Sequence, residues 1–354
     1  MTVMMKVNKK IPYQVLQDNV EKIFAVYVSP GDAKLIARCL VEADLRGISS
    51  HGIMRTAIYA RRLREGQINR TPKLAVSGKG GATAHVDGDN GMGYVIATRA
   101  MEVAIDLAKK HGVSMVTASH SNHFGMSALY INQAFEAGLG AIVLTNADPT
   151  MPVWGGRDPF LGTSPFAMGV PGGKTPLLLD MATSIVALGK IDRARQAGKT
   201  IPEGWGLDAE RRPTTDPASV INGGVVLPMA GPKGSGLGLL IEAVAGVMSG
   251  SLYGGKVRSM YLDFVNPQDV GHFFIAFDPE AFLSHEDYVR RIDDLVDRAK
   301  NQKLLEGFDE IVMPGEIESR RKEELRQSGI ELLPSDIEML QNEAKAAGVT
   351  IDFP

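Results

Sequence analysis

The stretch GYVIATRAMEVAIDLAKKHGVSMVTAS, residues 93–119, changes its hydrophobic rhythm partway through, and that change decides the fold class. Up to Gly112 the apolar residues recur at three- and four-residue steps, the pattern of an amphipathic helix. From Val113 the run VSMVTAS is short, apolar and rich in β-branched residues, the pattern of a buried strand. A second such pair follows, with SALYINQAFEAG (127–138) helical and GAIVLTN (140–146) extended. Helix and strand in alternation predict βαβ units and an α/β sheet. Ligands of such sheets collect in loops beyond the carboxyl ends of strands, here SHSNHFGM (119–126) and NADPTMP (146–152).

Working outward, residues 14–46 predict two amphipathic helices separated by Ser29-Pro30-Gly31-Asp32, a turn able to cap the second. The glycine-rich segment 70–90 predicts short strands at a domain junction. Downstream, PFAMGVP and TPLLLDMA read as paired strands around Gly172-Gly173-Lys174, and TSIVALGKIDRARQAG as a helix beginning beside Asp180. GPKGSGLGLLIEAVAGVMSG reads as a glycine-rich turn opening into an apolar helix, and 286–301 and 314–345 as charged helices. No internal repeat is present.

Composition limits the chemistry. With 354 residues, 44% hydrophobic and 22% charged, the chain can bury a large core, and a net charge of −3 gives no general drive toward nucleic acid. The amino-terminal MTVMMKVNKKIPYQ has no signal-peptide pattern and no apolar run suits a bilayer, so a cytoplasmic protein is expected. The single cysteine, Cys39, cannot form an intrachain disulfide and reads as a small core side chain.

The chemical signals concentrate in GISSHGIMRTAIY, residues 47–59. His51, Arg55 and Tyr59 stand four residues apart, so one helix would present all three on one face. An imidazole can move a proton near neutral pH, a guanidinium can grip a carboxylate with a planar fork, and a phenol can add a neutral hydrogen bond. Surface helices also carry such residues, so spacing leaves the site open. His120 and His123 could share a helical turn, but no further ligands accompany them and no metal is expected. GVPGGKT (169–175) falls one residue short of a P-loop, and GMGYVIA (91–97) misses a full dinucleotide fingerprint. GPKGSGLG (231–238) is a better anion site: its glycines allow close backbone approach, a helix follows, and Lys233 adds charge. Met181-Ala182-Thr183, read as a helix start, could offer amides to a phosphate, and Asp180 just before could orient a histidine.

Taken in order, GISSHGIMR, SNHFGMSALY, GTSPFAMGVP, LLLDMATS, PTTDP, AGPKGSGLGLLIE and MPGE resemble the malate/L-lactate dehydrogenase family, which includes ureidoglycolate, sulfolactate and diketogulonate oxidoreductases. The resemblance covers nearly the whole chain. It implies a mixed-sheet, non-Rossmann NAD(P)-binding α/β domain like that of L-sulfolactate dehydrogenase, and so accounts for the missing fingerprint. It also implies a smaller helical domain built from both chain ends and a homodimer with active sites near the interface. The expected division is 1–75 plus 310–354 for the helical, dimerising, substrate-contributing unit and 76–309 for the cofactor unit.

By the same resemblance, His51 is the proton-transfer residue with Ser50 and Asp180 as its relay, Arg55 and Tyr59 face the substrate, and His123 is a competing proton acceptor. Cofactor contacts are implied at Asn122, His123, Phe124, Gly125, Ala147, Met181, Ala182, Thr183, Lys233, Gly234, Gly315 and Glu316. The implied reaction is hydride transfer between NAD or NADP, with NAD favoured, and a small (S)-2-hydroxy or 2-oxo carboxylate such as malate, lactate or ureidoglycolate. The alternatives are a cyclic-imine (piperideine- or pyrroline-2-carboxylate) reductase and an inactive nucleotide-binding homologue. Neither nucleic acid nor a membrane is an expected partner.

Overall fold

The change of rhythm at Gly112 is a structural boundary. The computed structural model describes residues 8–354; the first seven residues of the amino-terminal stretch and of the expected helical unit lie outside the described residues. The helix Gly93–His111 buries Tyr94, Ala97, Met101 and Ala104, and stops where Gly112 turns left-handed at φ +81°. The strand Val113–Ser121 follows at once and lies parallel to Thr83–Asp87, which completes a βαβ unit.

The helix Ala128–Glu136 then leads to the strand Gly140–Thr145. These two strands do not pair with each other. Val270–Phe277 lies between them, antiparallel to both. This central strand, VGHFFIAF, is the element that the alternating pattern does not announce. Around it the sheet runs Ala75–Ser77, Thr83–Asp87, Val113–Ser121, Val270–Phe277, Gly140–Thr145, Phe166–Val170, Leu177–Met181, seven strands with a single parallel pairing, hence a mixed sheet. The expected hairpin around Gly172–Lys174 forms its far edge.

Three buried clusters matter for the site. One fills the space between the sheet and the Gly93–His111 helix, with Ala97, Ala104, Val116 and Phe274 among its members. A second draws on both chain ends: Leu16, Val20 and Leu40 pack with Leu325 and Leu340, and the strand Lys9–Ile11 pairs antiparallel with Ile330–Leu332. The two expected amino-terminal helices span Tyr13–Phe24 and Pro30–Leu45, and the Ser29 hydroxyl caps the second by accepting from the Asp32 amide at 3.2 Å. Cys39 is buried in this cluster, and burial pushes its thiol up to about 12, which leaves it unreactive. A third, smaller cluster joins Met151, Leu161, Ile191 and Val220 beneath a three-stranded sheet.

Several expected elements are shorter or divided. The helix read from 183 spans only Leu188–Gln196, so Met181 ends a strand and Ala182 and Thr183 lie in the connection rather than at a helix start. The apolar helix after GPKG runs as α-helix over Pro232–Ile241 and loosens into a π-turn at Glu242–Val247. The charged segment 314–345 is two helices, Glu316–Ser328 and Pro334–Ala347, parted by the strand Ile330–Leu332. His285–Lys300 is a single helix, as expected.

Candidate active site

His51, Arg55 and Tyr59 do not share one helical face. Ser49–His51 and Ile53–Arg55 are separate 3-10 turns, and only Tyr59 lies on an α-helix, Thr56–Glu65. The break falls at Gly52, which is extended (φ −88°, ψ −154°). Its cause is the buried Asp44 carboxyl group. Asp44 Oδ2 accepts from the Ile53 amide at 2.8 Å, and a Cβ on Gly52 would stand 2.0 Å from Asp44 Oδ1. Only a glycine lets the chain pass so close to the carboxyl group. Burial pushes Asp44 up to about 8, so the group is protonated through neutral pH.

Tertiary folding nevertheless brings the three side chains together, around His123. The loop after Val113–Ser121 places the His123 ring stacked over His51, with centroids 5.4 Å apart and planes 21° apart. The Tyr59 hydroxyl lies 2.5 Å from His123 Nδ1, and the Gly125 amide points at the same nitrogen from 3.3 Å. An amide can only donate, so Nδ1 holds a lone pair and neutral His123 carries its proton on Nε2. His51 is held differently, with its Nδ1 3.0 Å from the Ser50 hydroxyl, a group able to donate or accept. Burial first, and then the Arg55 guanidinium, pushes His51 down to about 3 and His123 well below the ordinary histidine range. Both rings are neutral at pH 7. Burial raises the Tyr59 phenol to about 12, so it keeps its proton.

Arg55 is half committed. Its Nε donates to the Ser50 carbonyl at 2.6 Å, whereas Nη1 is buried without a protein partner. The Tyr261 ring lies 5.4 Å from the guanidinium carbon. A buried donor left unsatisfied is costly unless a ligand completes it.

The Asn122–Gly125 loop is rigidly held. Asn122 Nδ2 donates to the Gly91 carbonyl at 2.8 Å and to Asn90 Oδ1 at 3.0 Å, and Asn122 Oδ1 is a buried acceptor without a protein partner. The Phe124 ring stacks at 4.5 Å on the buried His272, and the Phe124 carbonyl accepts from the Tyr130 hydroxyl. Gly125 is left-handed (φ +79°), and a Cβ there would meet the Tyr94 ring at 2.4 Å. His120 turns away to pair with Asp87, so it and His123 do not face one ligand.

The other expected site residues divide into two groups. Thr183 and Gly234 meet: Met229 donates its amide to the Thr183 carbonyl and accepts from the Gly234 amide, and a Cβ on Gly234 would lie 2.7 Å from the Thr183 carbonyl. Two segments proposed for the cofactor, Met181–Thr183 and Lys233–Gly234, therefore adjoin. Their amides are less free than the sequence suggested, because Thr183 donates to the Thr163 carbonyl and Gly234 to that of Met229. The Lys233 ammonium is exposed and able to meet an anion.

Asp180 and Glu316 are engaged elsewhere. Asp180 Oδ2 accepts from the Ala128 amide at 2.8 Å, at the start of the Ala128–Glu136 helix, rather than orienting a histidine; burial raises it to about 6. Gly315 abuts the Leu178 carbonyl. Glu316 pairs with Lys300 at 2.7 Å and Arg320 at 2.5 Å and accepts from the Met313 amide, contacts that hold its carboxyl down near 2. Ala147 closes against Gly162 in the loop after Gly140–Thr145.

Some contributors carry no signal in the local sequence. Gln268 accepts from the His123 amide at 2.9 Å, Tyr261 faces Arg55, and Asp44 shapes the His51 turn. Each reaches the site from a segment distant in sequence, or from a helix whose pattern reads as ordinary core.

Comparison with known proteins shows what the chain and its fold are similar to. The sequence model of the malate/L-lactate dehydrogenase family matches residues 11–341. L-sulfolactate dehydrogenase of Methanocaldococcus jannaschii is 40% identical over 91% of this chain and 92% of its own; its solved structure superposes with a TM-score of 0.90 over 97% and 98% of the two chains. Malate dehydrogenase of Pyrococcus horikoshii is 37% identical over 90% and 89%, and its structure gives a TM-score of 0.90. A ureidoglycolate dehydrogenase (NAD(+)) of Escherichia coli K12 is 33% identical over 96% of each chain.

Proposed function

The chain belongs to the malate/L-lactate dehydrogenase family, and on that premise we propose that it is a cytoplasmic, homodimeric enzyme that transfers a hydride between NAD and a small (S)-2-hydroxy or 2-oxo carboxylate such as malate, lactate or ureidoglycolate. One observation carries the substrate class. Arg55 is anchored through Nε while Nη1, buried and unpartnered, remains for a carboxylate beside two neutral imidazoles.

The residues present suit a nicotinamide cofactor. Asn122 Oδ1 is a buried orphan acceptor, and the Met181–Thr183 and Lys233–Gly234 segments meet at Thr183 and Gly234. Asn122–Gly125, Ala147, Met181–Thr183 and Lys233–Gly234 would hold it, with Gly315–Glu316 at the edge of the Leu177–Met181 strand. A nicotinamide held there would supply or take up the hydride exchanged with the substrate's C2. The choice of NAD rests on the named preference of the ureidoglycolate relative.

The protein moves the proton. His123, with Nδ1 occupied by two donors, presents Nε2–H and serves as a hydrogen-bond donor to the substrate oxygen. His51 has no such restriction and is the group that takes the alcohol proton or returns it to the alkoxide, with the Ser50 hydroxyl fixing its ring. Asp180 makes no contact with either histidine among those observed and instead accepts from the Ala128 amide. The homodimer is supported by large apolar side chains left exposed, Leu240, Met248, Leu262 and Val265 among them. Among the described residues no helix is long and apolar enough to cross a membrane.

The test is oxidation of NADH and of NADPH with a panel of 2-oxo acids and cyclic imino acids. Turnover with an oxo acid supports the reading. Turnover only with an imine identifies a cyclic-imine reductase, and cofactor binding without any turnover identifies an inactive homologue.

A further inference from the structure

The Thr56–Glu65 helix contributes more than Tyr59. Three residues on, the Arg62 side chain is 1% exposed, a burial that an arginine tolerates only with partners. Its partners are backbone carbonyls of one irregular segment. Nη1 donates to Asp263 at 2.6 Å and to Met260 at 3.2 Å, and Nη2 to Asn266 at 3.1 Å. The same helix end adds the Arg61 guanidinium over the Phe264 ring at 3.6 Å, and Gln67 Nε2 donates to the Phe264 carbonyl at 2.8 Å. Residues 259–268 contain no helix or strand to satisfy those carbonyls.

The segment so fixed reaches the site twice. Tyr261 faces Arg55, and Gln268 Oε1 accepts from the His123 amide at 2.9 Å. We propose that Arg62 is a positioning residue: its buried fork sets the 260–268 segment so that Tyr261 borders the substrate-binding guanidinium and Gln268 fixes the His123 loop. The helix that places Tyr59 against the His123 ring thereby also fixes the His123 backbone, through Gln268. A planar fork is required because the accepting carbonyls lie apart, and a single ammonium cannot meet all of them in this geometry.

The proposal rests on the oxidoreductase reading for its kinetic consequence but not for its structural one, so Arg62→Lys is tested both ways. Hydrogen–deuterium exchange should be about tenfold or more faster in segments 258–268 and 121–125 and unchanged in the Gly93–His111 helix. With the best substrate, kcat/KM should fall about tenfold or more, and cofactor affinity, which draws on Asn122–Gly125, should fall with it. Gln268→Leu should lower kcat/KM and loosen 121–125 on its own, and the double variant should be no worse than Arg62→Lys, because the two act on one segment. If the parent turns over no substrate, the functional reading fails and the exchange arm still decides the positioning role. A folded Arg62→Lys protein with parental exchange in both segments overturns the proposal. If Arg62→Lys does not fold, Gln268→Leu decides: parental exchange at 121–125 overturns it.

Discussion

The Tyr59 phenol and the His123 imidazole, 64 residues apart in sequence, share a 2.5 Å hydrogen bond at Nδ1. With the Gly125 amide on the same nitrogen, this contact fixes the His123 tautomer and so separates the tasks of the two histidines. Tyr59→Phe removes one donor and leaves the amide. The expected outcome is a folded enzyme with kcat lowered about tenfold, the scale of one buried hydrogen bond. Steady-state kinetics beside a thermal melt check it, and an unchanged kcat would detach the phenol from the reaction.

His51→Ala should lose about 10²–10⁴-fold in kcat while binding NADH normally, the range of general acid–base assistance. His123→Ala should lose less, since only a hydrogen-bond donor is removed. The reverse order would reassign the proton to His123. Because burial and Arg55 push His51 down to about 3, it stays neutral and able to accept a proton across the range where ordinary histidines titrate. kcat/KM for alcohol oxidation should therefore show no limb near pH 6.5.

Arg55→Lys keeps the charge and loses the fork. KM for the carboxylate substrate should rise about tenfold or more, with NADH affinity unchanged. Equal losses in both would place Arg55 at the cofactor instead.

Lys233→Ala should weaken cofactor binding, measured by fluorescence titration, and the effect should shrink as salt is raised, because the residue acts as an exposed charge. Unchanged affinity would leave the adjoining segments at Thr183 and Gly234 without a cationic contact to the cofactor.

Asp44 has a signature in stability. Its carboxyl titrates near 8 in the folded chain and near 3.8 when unfolded, so between these values the native state holds the extra proton and stability falls as pH rises. The buried histidines act in the opposite direction, but only below about pH 6.5, where the unfolded chain begins to protonate them. Between about pH 6.5 and 8 the parent should lose roughly 1–2 kcal/mol of unfolding free energy in urea titrations. Asp44→Asn can still accept from the Ile53 amide through its side-chain oxygen and should lose little over the same window. Parallel curves would exclude Asp44 as the titrating group.

The sequence by itself determined the local grammar and the identity of the chemical groups. The two helix–strand pairs from Gly93 to Asn146, the hairpin around Gly172–Lys174 and the capped helix at Ser29 follow from periodicity and turn chemistry, which neighbouring residues set among themselves. The ordered motifs named the family. The spacing of His51, Arg55 and Tyr59 pointed to a site for a reason that did not hold, since Asp44 breaks the helix at Gly52 and only folding around His123 gathers the three. Tertiary structure alone decided that Val270–Phe277 enters the middle of the sheet, that Asp180 serves a helix start, and that Glu316 is held by Lys300 and Arg320. Strand order, the partners of a buried carboxylate and the carbonyls around Arg62 all depend on contacts between segments remote in sequence. Such contacts form only when the whole core closes, and no local window of the chain records them.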